Sequence, residues 1–326
     1  MKRGFIIFWM LYMLFFAVPF PMILYYNINQ ADDIQALQEK SPAFALFFLL
    51  VSVLFWLILL TGYFKKWILT TFIMKRNIAK ILEQGHKRQA RIIHATEIPD
   101  KTKPSNIYEL TLEFKNLVDE KILHKLIVKD SKPFERRFET GKTVEIFISA
   151  DLNKQPYIAM ADSKTSIRRT YIVLIFLGWL LLCIAIAAYY VYAYKSESLG
   201  YGWRFLSLGH PLLVCPATLL LYKAIINLLF RKFGGMAKAP KIKFKGRRTQ
   251  AKLIVANQTG TFVNEQPMIR FELEYTDDSG KIYRQSLKKI VNLLNLYSIK
   301  QETVDIFYLK DDPQQIAFTT DLNDVI

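Results

Sequence analysis

The stretch AFALFFLLVSVLFWLILLTGYF, residues 43–64, contains no charged side chain. A helix rises about 1.5 Å per residue, so about 20 such residues cross a hydrocarbon layer of about 30 Å, and a helix satisfies its own backbone there without water. A helix in a soluble core is seldom apolar on every face. Phe5 to Tyr26 and Tyr171 to Tyr194 read in the same way. Gly209 to Phe230 is a fourth block of this kind, interrupted only by Lys223. That lysine stands about two turns from the end of its block, where the alkyl stem lets the ammonium snorkel to the interface, so it reads as an anchor. Pro19 and Pro21 in the first block, and Pro211 and Pro216 in the fourth, predict kinks.

Outside these blocks the chain is polar and strongly basic. Its 326 residues are 52% hydrophobic and 22% charged, with a formal net charge of +16. Most of that charge flanks the apolar blocks: Lys2 and Arg3; Lys65, Lys66, Lys75 and Arg76; Lys164, Arg168 and Arg169; then Arg231, Lys232 and the run from Lys238 to Arg248. The two short connections hold only Lys40 in one, and Lys195 and Arg204 in the other. By the positive-inside rule, both termini and both long polar segments are expected in the cytoplasm, as in a multi-pass protein of a bacterial inner membrane. Because the lysines and arginines crowd block ends instead of alternating with aromatics on one face, the charge reads as topology and not as a nucleic-acid footprint. Met1-Lys2-Arg3 resembles the start of a signal peptide, but the apolar run after it is too long and lacks an A-x-A site, so it is expected to stay attached.

The polar segments repeat one another. GHKRQARII at 85–93 lines up with GRRTQAKLI at 246–254, Leu112-Glu-Phe with Leu273-Glu-Tyr, Lys121-Ile with Lys281-Ile, and Thr143-Val-Glu-Ile-Phe with Thr303-Val-Asp-Ile-Phe. Asp151 and Gln155 then match Asp311 and Gln315. The expected architecture is an α+β membrane protein built as an internal parallel duplication. A first transmembrane helix pair (1–77, spans 5–26 and 43–64) precedes a first cytosolic β module (78–165). A second pair (166–232, spans 171–194 and 209–230) precedes a second module (240–326). An even number of spans per unit gives both copies one orientation, unlike the inverted repeats of many transporters.

Within each module the polarity has a period of two, the mark of a half-buried strand. Tyr108, Leu110, Leu112 and Phe114 alternate with Glu109, Thr111 and Glu113, and Ile269, Phe271, Leu273 and Tyr275 repeat the pattern. Asp277-Asp-Ser-Gly280 marks a hairpin turn, with glycine placed for positive φ. With strands near 89–94 and 250–256 and at Val144–Ile148 and Val304–Tyr308, each module has about five, enough for a small antiparallel barrel or sandwich. Ile290, Val291, Leu293, Leu294 and Leu296 have helical spacing, suited to capping an open barrel end, though the stretch also reads as a strand.

The segment Thr259-Gly260-Thr-Phe-Val263-Asn264-Glu-Gln-Pro267, followed by the alternating strand, resembles a bacterial membrane-protein family known only as a domain of unknown function. The resemblance covers roughly the last 80 residues well and the first module faintly, since Glu97 to Asn106 lacks the same pairs. It implies paired spanning helices with a small β module and carries no activity. Read from the residues alone, Gly260 and Asn264 shape a turn.

No nucleophile, phosphate-binding or zinc motif is present, and no catalytic, cofactor-binding or metal-binding residue is assigned. Cys183 and Cys215 both fall inside apolar blocks and read as small hydrophobes. His86, His94, His124 and His210 lack metal spacing; His94 and His124 fall in expected strands, and His210 reads as an outer-interface residue. Asp311 and Asp312 precede Pro313 in a turn. The expected function is a non-enzymatic membrane protein whose β modules bind a protein partner or regulate one, with the bilayer itself as solvent and homo-oligomers allowed. An immunity protein against a membrane-acting toxin is the alternative. A transporter or channel subunit ranks behind both, because Lys223 is the one ionisable residue inside the blocks.

Overall fold

A computed structural model describes residues 2–28, 34–98, 106–163, 167–233, 238–263, 265–291, 302–323 and 325. Lys164, Asn264 and the part of the expected capping stretch from 292 onward lie outside them. The chain is α+β and divides into a helical unit, Met1–Lys75 with Ser166–Gly234, and a β-rich unit, Arg76–Thr165 with Gly235–Ile326.

The helical unit begins with α1 (Lys2–Ala17) and α2 (Pro19–Ile28), parted at Val18. Pro19 lacks the N–H that would continue the ladder, yet the bonds from Val18 N to Leu14 O and from Met22 N to Val18 O carry the helical path across the break. A short α3 (Ile34–Glu39) leads to α4 (Pro42–Phe64), which passes through a π turn, Lys65–Leu69, into α5 (Thr70–Gln84). The second apolar block thus continues as helix well beyond residue 64, into sequence whose polarity had suggested an end. The remaining helices are α6 (Arg169–Glu197) and α7 (Pro211–Phe233), the latter with Pro216 inside it. Four helices among the described residues, Gly4–Ile28, Pro42–Gln84, Arg169–Glu197 and Pro211–Leu228, are long and apolar enough to cross a membrane.

In the β-rich unit, β1 (His86–Glu97), β2 (Ile107–Lys115), β3 (Lys121–Lys129), β4 (Thr143–Ile148) and β5 (Ile158–Met160) form an antiparallel sheet in the order β3-β2-β1-β4-β5. A short helix α8 (Ala239–Lys245) precedes β6 (Gly246–Val263), β7 (Gln266–Thr276), β8 (Ile282–Ile290), β9 (Thr303–Leu309) and β10 (Asp312–Phe318), and α9 (Thr319–Asn323) follows. Their order, β10-β9-β6-β7-β8, is the same topology read from the other edge. Ile92 opposes Leu112 and Leu253 opposes Leu273; each first strand carries an irregularity one residue later, before His94 and before Val255. The register corrects one sequence match: Lys121 pairs with Lys115 as Ile282 pairs with Thr276, so Lys121 corresponds to Ile282 and not to Lys281. Lys288 to Ile290 belong to β8, so the strand reading holds for that part of the capping stretch.

Both sheets curl, the first into a half-barrel and the second into a near-barrel whose edge strands β8 and β10 approach each other. The half-barrel does not bury its inner face alone. Ala90, Ile92, Leu110, Leu112, Ile146 and Ile148 pack with Ala239, Ile242 and Phe244 of α8, with Phe307 and Leu309 of β9, and with Leu322 of α9. Consequently β9 is buried on both faces: Ile306 and Tyr308 enter the second module's own core while Phe307 and Leu309 enter the first module's. That explains an uninterrupted apolar run where one-sided burial would give alternation.

Gly85 and Gly246, the glycines that coincide in the repeat, stand where helix turns into strand. A Cβ on Gly85 would lie 2.3 Å from Ile81 O, and one on Gly246 would lie 2.2 Å from Ile242 O. No side chain fits at either junction.

Candidate functional site

Three buried polar residues of the β-rich unit, Asn116, His124 and Lys243, lie at the seam between the two sheets. Asn116 follows β2 and is wholly buried. Its Oδ1 accepts from Val118 N (2.9 Å) and Glu120 N (3.0 Å), closing the β2–β3 turn. Its Nδ2 donates to Lys243 O (3.1 Å) and Gly246 O (2.9 Å), and the neighbouring Leu117 N donates to Phe244 O (2.9 Å). The end of α8 and the start of β6 are thereby tied to the first sheet. Asp277, at the matching position of the second sheet, closes its own turn by accepting from Ser279 N (2.9 Å) and Lys281 N (3.0 Å), as the DDSG pattern predicted. A carboxylate suffices there because no carbonyl has to be held. The Ser279 hydroxyl, donating to Oδ1 at 2.6 Å, together with these turn bonds keeps the Asp277 carboxyl below the usual range.

Lys243 is likewise fully buried, its Nζ donating to Val325 O at 2.8 Å. His124, 3% exposed, packs its ring against Phe114 and Phe244. Burial, with the Lys243 charge adding to it, pushes its pKa down to about 3, so the ring is neutral. His124 is therefore a core residue. His94 contacts Thr96 on the exposed face of β1. Among the described residues, no group of three or more His, Cys, Asp or Glu is placed to hold a metal ion. Asp311 and Asp312 stand at the β9–β10 turn, where Gln315 bonds Asp312. Gly260, at φ +75, shapes an irregular end of β6, where Thr259 Oγ1 donates to Met268 O at 2.9 Å.

The helical unit holds a second polar cluster that the apolar-block reading passed over. His210, fully buried, shares hydrogen bonds through Nε2 with the Glu197 carboxylate at 3.3 and 3.5 Å. Its Nδ1 accepts from Leu212 N at 3.1 Å, which fixes the tautomer with the proton on Nε2. Tyr25 and Tyr26 donate to the same carboxylate at 2.8 and 3.0 Å. Glu197 ends α6 three residues past the apolar block, and the count of lysines and arginines in that connection gave no reason to weigh it. Nearby, Arg204 Nη1 donates to Gln38 O (3.1 Å), joining the two short connections. Lys223 Nζ lies 3.1 Å from where a Gly62 Cβ would stand, level with the end of α4. Cys215 is buried and Cys183 half-buried, both reduced.

No protein-family model matches the chain, and no curated protein matches it. Among solved structures it is similar to one described as "Structure and Conformational Change of a Replication Protein A Heterotrimer Bound to ssDNA", with 6% identity and a TM-score of 0.17. That match covers 69% of this chain, which spans 44% of the length of the other. A likeness at this level carries no argument about fold or function.

Proposed function

We propose that the protein is a non-enzymatic multi-pass membrane protein whose two fused β modules form a cytoplasmic platform for a protein partner. Outward-facing apolar side chains on the helical unit, such as Phe44 at 69% and Leu181 at 67% exposure, support lipid as its solvent. The basic flanks support cytoplasmic modules and termini and a bacterial inner membrane. Identical strand order and register support duplication of a helix-pair-plus-module unit. Kinship with the bacterial family of unknown function rests on residues 259–267 and the strand after them.

One observation carries the platform reading: among the described residues, β3 has no strand on its outer side, although α9 also contacts it. An open edge offers backbone donors and acceptors to an added strand, and its lysines guard it against indiscriminate pairing. Lys121 and Lys129 are exposed on β3, Ile127 is 59% exposed, and Phe134, in the loop that follows, is 97% exposed. The experiment is site-specific photo-crosslinking in native membranes at Ile127 and Phe134, with Lys252 on β6 as the comparison site. A discrete adduct at the first two positions and none at the third is expected. An adduct of twice the chain mass identifies the partner as a second copy, and no adduct at either position overturns the reading.

A further inference from the structure

The half-barrel's mouth is basic where its core should continue. On β1, Ala90 and Ile92 point inward and are wholly buried; the two preceding positions of that face are His86 and Arg88. They open on a cleft of about 340 Å3 at the seam. Lys245, at the end of α8, and Lys310, in the β9–β10 turn, line it with them, against the single carboxylate of Asp311. Leu117, Val118 and Leu309 supply an apolar wall. Arg88 is held in place by its bonds to Lys87 O (3.2 Å) and Asn116 O (3.3 Å), while its Nε has no hydrogen-bond partner. Asp119 approaches it only to 3.7 Å and is 72% exposed.

In the second module the corresponding mouth carries its own counter-ion. In the matching register, Arg247 takes the place of His86 and Thr249 that of Arg88. Arg247 Nη1 pairs with Asp278 Oδ2 at 2.6 Å, and Tyr308 donates to the same carboxylate at 2.7 Å. Burial, with that bond adding to it, pushes the Tyr308 phenol up to about 12. Leu117 occupies the position of Asp278 in the first module, one residue after the turn-closing Asn116 or Asp277. The first copy thus carries its guanidinium two residues further along the strand, with histidine where the second has arginine, and has leucine in place of the carboxylate that answers it there.

We infer that this cleft binds a small phosphate-bearing ligand. Guanidinium and ammonium groups on three separate elements suit a multiply charged anion better than one carboxylate, and the volume falls in the range of about 300–1,000 Å3 usual for small-molecule sites. An occupant would touch the β2–β3 turn, α8 and the β9–β10 turn together, and so would set how firmly the two sheets hold each other.

The test is calorimetric titration of the full chain in an uncharged detergent with inorganic pyrophosphate at fixed ionic strength. Saturable binding at one site per chain is expected. The exposed pair K245E/K310E should weaken it at least about 10-fold, whereas K252E/R270E, an equal charge change on exposed β6 and β7 positions, should leave it within about twofold. L117D, which installs the second module's carboxylate, should abolish binding; a thermal unfolding curve checks that this variant is folded, and the exposed pair decides the matter if it is not. Displacement by dihexanoyl phosphatidic acid at lower concentration than by glycerol 3-phosphate assigns the phosphate to a lipid headgroup, and the reverse order to a soluble metabolite. Absent saturation, or equal losses in both double variants, would overturn the proposal.

Discussion

Replacing Asn116 by aspartate separates two roles that a turn analysis would merge. The substitution keeps the shape and the Oδ1 acceptor that closes the β2–β3 turn, a task Asp277 performs at the matching position. It removes the two donors to Lys243 O and Gly246 O and sets a carboxylate against both carbonyls in a wholly buried site. An unsatisfied buried acceptor costs about 1–3 kcal/mol, so the loss should be about 2–5 kcal/mol. For a domain of this size that corresponds to a fall in Tm of roughly 4–20 °C. Thermal unfolding of the full chain in detergent, followed by tryptic digestion across the transition, reads it out. Asp277→Asn, which disturbs only a turn, should stay within about 1 kcal/mol. If N116D melts with the wild type, the seam is not held by this amide and the shared core is a weaker junction than described.

Four further outcomes follow from the same structure. His124 is charged in the unfolded chain below about pH 6.5 and resists protonation in the folded one down to about 3, so its contribution is intact above pH 6.5 and is lost as pH falls. About 2 kcal/mol should disappear between pH 7 and pH 5 and be restored in H124F, measured by urea titration at each pH. G85A and G246A place a Cβ within 2.3 Å of a helix carbonyl and should each cost at least about 3 kcal/mol, seen as reduced accumulation and a lowered Tm. E197L strands two tyrosine hydroxyls and His210 Nε2 and should destabilise the helical unit by about 3–5 kcal/mol, with E197Q milder, in a thermal assay on detergent-solubilised protein. F134A should leave Tm unchanged, because the side chain is 97% exposed, while removing the photo-adduct expected at the neighbouring Ile127.

What could be read from sequence was what repeats or segregates. The four long helices were legible as long apolar runs, and strands such as β2 and β7 because one-sided burial imposes a period of two. The Asp277–Gly280 turn was legible from its chemistry. The shared core was not: APKIKFK, residues 239–245, reads as one more basic flank, yet Lys243 is fully buried and Ile242 and Phe244 complete the neighbouring module. A signal was present in Ile306-Phe-Tyr-Leu309, whose unbroken apolarity marks a strand buried on both sides, and in asparagine standing at 116 where the repeat has aspartate. The Glu197–His210 pair escaped because blocks were ended at the first charge, although α6 continues to Glu197 and brings its carboxylate back to His210. Matching letters also misplaced Lys281 by one residue, since sequence similarity does not see which neighbour a strand residue faces.

The most direct measurement places reporters on the two sides of the bilayer. Alkaline phosphatase and a fluorescent protein would be fused in parallel after Val325 and within the connection between Ser198 and His210. Fluorescence without phosphatase activity at Val325, with the opposite result at 198–210, is the outcome predicted for four crossings with both β modules in the cytoplasm. Phosphatase activity at Val325, or fluorescence in the short connection, would contradict it.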